Sequence, residues 1–152
     1  MEAKFLTELE VRYLDDENAV LLSPLWYQSK ILNGILKIPQ GFVNDFSSTP
    51  RVPIVYMAYG NRAHHEGVPH DFLYRSPDHL VEITREDGTV EKVIVSKFTA
   101  DKVYLEAMGV RGKKTWIKFG MFLGVLFGGF SSYRTGHERF RIMKLANGPF
   151  AR

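Results

Sequence analysis

The sequence predicts a mixed α+β fold: an N-terminal antiparallel β-meander followed by two or three packed helices with an inserted β-hairpin. Three observations carry that expectation. Short apolar runs separated by turn formers fill residues 5–38, the pattern of half-buried antiparallel strands. Apolar residues at helical spacing then recur in 61–75, 98–108 and 113–133. Between the first two lies a strand pair, Val81–Glu86 and Val90–Val95, turning on Asp87-Gly88. With 152 residues, 45% of them hydrophobic, the chain is long enough for one domain with a real core and short for two. Residues 1–152 are therefore read as a single domain: a β-rich part with a motif loop (1–51), a helical part (52–135) holding the hairpin at 81–95, and a basic tail (136–152).

Taken in order, Phe5–Leu14 alternates in part through Leu6, Leu9, Val11 and Tyr13 and reads as a first strand. The acidic run Asp15-Asp16-Glu17-Asn18 turns the chain. Ala19–Gln28 is a second strand, confined to an edge or a bulge by Pro24, which has no N–H for a ladder. Asn33-Gly34, suited to a tight hairpin turn, leads into a third strand at Ile35–Ile38. Pro39–Arg51 then breaks the rhythm with turn formers and small hydroxyls around one isolated carboxylate, Asp45. Asp45 suits an Asx turn, accepting backbone N–H groups, or a loop that offers oxygen to a cation.

Pro53–Gly60 is apolar and aromatic, and Asn61–Arg75 reads as helical, with Pro69 either kinking it or opening its second part. Phe98–Met108 is the next helix, with Thr99 as its N-cap and Asp101 in the first turn, where a carboxylate favours the helix dipole. Lys113–Tyr133 is the most apolar stretch, and Gly120, Gly124 and Gly128 give it a smooth face for close packing. Its uncharged run, bounded by Lys118 and Arg134, falls below the roughly 20 apolar residues of a spanning helix. A buried helix is expected, with shallow insertion into a membrane surface as the rival.

Composition removes several function classes. Without cysteine the chain has no disulfide framework and no thiolate metal site. The absence of cysteine fits a reducing cytoplasm, and Met1–Phe5 lacks the basic-then-apolar order of a secretory signal. The net charge of +3 conceals an asymmetry: from Arg111 onward nine Lys or Arg face Glu138 as the sole acid. Such a surface meets nucleic acid, an anionic membrane or an acidic protein, or is simply solvated. No nucleic-acid recognition motif accompanies it, so nucleic acid is not an expected partner.

The chemistry gathers in Val68-Pro69-His70-Asp71-Phe72-Leu73-Tyr74-Arg75. On a helix His70 and Tyr74 share a face, and Asp71 pairs with Arg75 on the adjoining one. Imidazole titrates nearest neutrality and suits general-base work; aspartate is a hard oxygen ligand for a divalent cation. The alternative is that His70 is a hydrogen-bonded core histidine. His64, His65, Glu66 and His70 lie close enough in sequence to suggest zinc, but His64 and His65 diverge on a helix and match no standard zinc spacing.

The run Ile38-Pro39-Gln40-Gly41-Phe42-Val43-Asn44-Asp45-Phe46-Ser47-Ser48-Thr49-Pro50-Arg51, then Pro69–Tyr74, then Ala100-Asp101 with Leu105–Met108, resembles an uncharacterised family of tailed-phage and prophage proteins known as domain of unknown function 1353. Asn44 stands where that family usually has threonine and Ser47 where it has alanine, and the 81–95 hairpin is an insertion. The resemblance implies a phage origin, a place in the virion tail or in the host cytoplasm before assembly, and other tail or virion proteins as partners.

A second resemblance is local. His70-Asp71 followed by Tyr74 is similar to the His-Asp-x-x-Tyr helix of secreted-type phospholipase A-two. It implies His70 as base, Asp101 from a second helix as its orienter, Tyr74 beside them, and calcium on Asp71 and Asp45; zinc fits less well. The disulfides and the glycine-rich calcium loop of that family are absent here. Two functions are thus expected in competition: a metal-assisted, calcium-dependent ester hydrolase acting on lipid of the host membrane or another envelope ester or amide, and a non-enzymatic structural or interaction component of a phage tail.

Overall fold

The computed structural model describes residues 1–15, 18–45 and 65–143, and among these are eight strands in two antiparallel sheets and four α-helices. The larger sheet runs in the order β1 (Lys4–Phe5), β4 (Leu25–Ser29), β5 (Gly34–Ile38), β7 (Leu80–Thr84), β8 (Val90–Ile94). The smaller is β2 (Val11–Tyr13), β3 (Asn18–Leu21), β6 (Val43–Asp45). The helices are α1 (Gly67–Arg75), α2 (Lys97–Val110), α3 (Thr115–Gly128) and α4 (Phe130–Thr135).

Antiparallel strands followed by packed helices are what the sequence predicts, but the strands are shared out differently. Phe5–Leu14 divides, with Phe5 opposite Tyr27 in one sheet and Val11 opposite Leu21 in the other. Ala19–Gln28 also divides, into β3 and β4, with Pro24 in the break where no ladder hydrogen bond is needed. The β4–β5 turn is Lys30–Asn33, closed by the pair Ser29–Gly34, so Ile31 and Leu32 belong to the turn. Asn33 supplies the left-handed residue, with φ of 50°. Glu106 on α2 explains the longer turn. Its carboxylate accepts the N–H groups of Lys30 (3.0 Å) and Ile31 (3.3 Å) and the hydroxyls of Ser29 (2.7 Å) and Tyr27 (2.9 Å).

The hairpin at β7–β8 adds to the edge of β5 and turns through Gly88 at φ of 83°. Residues 41–43 pair with Arg141, Ile142 and Met143, so the start of the basic tail returns to the motif loop. Leu25, Tyr27, Leu36 and Ile38 of the larger sheet form one apolar core with Val68 and Leu73 of α1 and Ala100, Val103 and Ala107 of α2. The apolar segment Lys113–Tyr133 breaks at Gly129 into α3 and α4, and no helix among the described residues is long and apolar enough to cross a membrane.

Candidate functional site

Helix α1 opens at Gly67, so Pro69 lies in the first turn, where its missing N–H removes no intrahelical bond. Asn61–His64 lies outside the described residues. All of Val68–Arg75 is buried. The N-cap of α2 is Ser96, whose hydroxyl accepts the Thr99 N–H at 3.2 Å; Thr99 itself is inside the helix. With the cap three residues earlier than expected, Asp101 sits in the second turn. There it is wholly buried against α1, and a dipole contact does not account for it.

Four side chains meet at this helix pair. His70 Nε2 lies 3.3 Å from Asp101 Oδ1, and the Tyr74 hydroxyl donates to the same oxygen. Lys97 Nζ donates to Asp101 Oδ2 at 2.7 Å and to the carbonyls of Val125 (2.8 Å) and Leu126 (3.0 Å) at the end of α3. The other imidazole nitrogen, Nδ1, is 3.5 Å from Asp71 Oδ1. Asp71 Oδ2 in turn is 3.9 Å from the Arg75 guanidinium, which also donates to the Val43 carbonyl at 3.4 Å. The rings of Tyr74 (4.0 Å) and Tyr104 (4.9 Å) pack on the His70 ring. Helical periodicity builds each pair: 70 with 74, 71 with 75 and 97 with 101 are all one turn apart.

Burial alone would disfavour a charged imidazole. Hydrogen bonds to Asp101 and Asp71, with their negative charges, outweigh it and hold the His70 pKa above the usual imidazole range. Burial likewise opposes the Asp101 carboxylate, but hydrogen bonds from His70, Lys97 and Tyr74 keep its pKa below the ordinary value. Tyr74, desolvated and bonded to Asp101, is pushed far up and stays a neutral donor. The arrangement is an imidazole steered through Nε2 by a fixed anion, with Nδ1 turned to a second carboxylate.

The structure therefore brings His70, Tyr74 and Asp101 together, with Asp71 on the far side of the ring. Asp45 ends strand β6 opposite Asn18 rather than lying in a free loop. Its side chain, and the rest of the motif loop from Phe46, lie outside the described residues. Beside it Asn44 is completely buried, and neither atom of its amide has a hydrogen-bond partner among the described residues. His65, in the turn before α1, accepts the Leu9 N–H through Nε2 at 2.9 Å, a tie to the β1–β2 link. No group of three or more His, Asp or Glu that could hold a metal occurs among the described residues.

Lys97 is the participant that sequence reasoning missed. Its signal was the i, i+4 spacing to Asp101 on one helix. Gly129 is a second: a Cβ there would come 2.6 Å from the Tyr74 hydroxyl and 3.3 Å from Lys97 Cε.

Fold and site together define an α+β protein whose two central helices share a buried imidazole–carboxylate pair. A family model described as "Protein of unknown function (DUF1353)" matches residues 19–125, and the chain belongs to that family. No curated protein and no solved structure matches the chain.

Proposed function

We propose that this chain is a phage tail-associated, metal-assisted hydrolase with His70 as general base. One observation carries the reading: Asp101, from a separate helix, lies 3.3 Å from His70 Nε2; on this reading it takes the Nε2 proton as its hydrogen-bond partner and leaves Nδ1 as the basic nitrogen. Tyr74 and Lys97 position Asp101 and keep it anionic, which stabilises the imidazolium that forms when the ring takes a proton from water. Asp71 offers a hard carboxylate beside Nδ1, and Asn44 on β6 has a buried amide oxygen without a partner among the described residues; both are oxygens of the kind calcium takes and zinc favours less. Asp71, with Asp45, would hold the ion, which when bound would polarise the scissile carbonyl and favour its oxyanion. The Ile38–Arg51 and Pro69–Tyr74 motifs support the phage origin; the partners proposed are tail or virion proteins, the substrate an envelope ester or amide, and the place the virion or the host cytoplasm before assembly.

The test is hydrolysis of lipid and model esters with calcium, by wild type and His70→Ala. Loss of at least about 100-fold on substitution is expected for a general base; unchanged hydrolysis removes His70 from that role.

Burial favours a second reading. His70 is 6% exposed and Asp101 fully enclosed, as in a polar network that fixes helix packing in a structural tail component. On that reading His70→Ala lowers the melting temperature and no hydrolysis is found in wild type.

A further inference from the structure

Helix α3 has no polar face. In Thr115-Trp116-Ile117-Lys118-Phe119-Gly120-Met121-Phe122-Leu123-Gly124-Val125-Leu126-Phe127-Gly128 only Thr115 and Lys118 are polar. Met121 and Val125 pack with Tyr104 and Met108 of α2. Away from that seam Trp116, Phe119, Leu123 and Phe127 recur at three- and four-residue spacing and are 58, 54, 49 and 76% exposed. Phe130 of α4 continues the stripe at 62%. A helix apolar all round is ordinarily covered, and a contiguous aromatic patch of this kind marks a docking surface.

Charge selects the occupant. Between Glu106 and Glu138 the sequence holds no acid, while Arg111, Lys113, Lys114, Lys118 and Arg134 fall before, within and after α3. Lys113 is bridged to Glu66 at 3.2 Å, but Lys114 and Arg134 are exposed at the two ends. A second copy docking by the same face would set cations against cations. We propose that the stripe seats the protein on an anionic lipid bilayer. At 14 residues, about 21 Å, α3 is shorter than the roughly 30 Å hydrocarbon core and lies in the plane of the interface. Trp116 and the phenylalanines enter the headgroup–acyl boundary, and the flanking cations meet lipid phosphates. The inference holds whether or not the His70 site is catalytic. It also places that site near the surface, because the Phe130 ring stacks on Lys97 Nζ at 4.6 Å.

The test is co-sedimentation of the full chain with phosphatidylglycerol–phosphatidylcholine vesicles and with phosphatidylcholine alone. Wild type, Lys114→Gln and the double variant Phe119→Gln/Phe127→Gln are compared, with melting temperatures checked. Expected are salt-sensitive binding to the anionic vesicles, a blue shift of Trp116 emission, weaker binding by Lys114→Gln, and a loss of roughly tenfold or more in the double variant. Three results would overturn the proposal: no wild-type binding to anionic vesicles at low salt, equal binding by the double variant, or a phenylalanine-dependent dimer that does not bind vesicles.

Discussion

Helix α2 meets α1 through a buried polar network and α3 through an apolar seam, and the two contacts specify different things. At the first, Asp101 accepts from His70, Tyr74 and Lys97, so one relative placement of the helices satisfies every group and small displacements strand a charge. At the second, Tyr104 and Met108 meet Met121 and Val125, contacts that define burial but tolerate repacking. Lys97 joins the two, since the ammonium that pairs with Asp101 also donates to the Val125 and Leu126 carbonyls in the last turn of α3. A buried polar contact fixes geometry; an apolar one leaves surface for a partner.

The contrast breaks hardest at Asp101. Asp101→Ala strands Lys97 and His70 and is expected to cost about 3–5 kcal/mol in urea unfolding. Gly129→Ala attacks the same network from α3. Its Cβ would crowd the Tyr74 hydroxyl and Lys97, so a loss of about 1–3 kcal/mol is expected, accompanied by a change at His70 detectable by NMR.

A smaller effect comes from His65, a polar tie outside the helix pair. Burial, and then the Arg111 charge, hold its pKa below the ordinary imidazole value, against the pull of Glu8. The neutral ring accepts the Leu9 N–H, so its contribution is full above the unfolded pKa of about 6.5 and is lost as pH falls through the lower folded value. Melting temperature is expected to drop on acidification across that window, and His65→Gln to flatten the drop. Smallest is Phe127→Gln: with the residue already 76% exposed, stability is expected to stay within about ±0.5 kcal/mol. A large loss there would mean the stripe is packed against the chain itself.

Periodicity made the local half of the site legible. His70 with Tyr74 and Asp71 with Arg75 follow from the helix repeat, and both contacts are present. Asp101 joins His70 across 31 residues of chain, which periodicity does not reveal; the likeness to a known motif suggested it. The N-cap was displaced because Ser96 and Thr99, both hydroxyls, stand one turn apart before the same apolar run. Strand partition was hidden for a similar reason. Alternation gives a strand its faces but not its neighbour, so nothing local sends β3 to one sheet and β4 to the other. The Asn33-Gly34 turn was lengthened by Glu106, an acceptor more than seventy residues away.

The proposed function requires Asp101 to set the tautomer of His70, which the side-chain ¹⁵N shifts of His70, at a pH where the ring is neutral, read directly. Expected is a proton on Nε2 and a lone pair on Nδ1 in wild type, with the preference weakened in Asp101→Asn. A proton on Nδ1, directed at Asp71, would leave the ring without a base on the proposed side and would contradict the hydrolase mechanism.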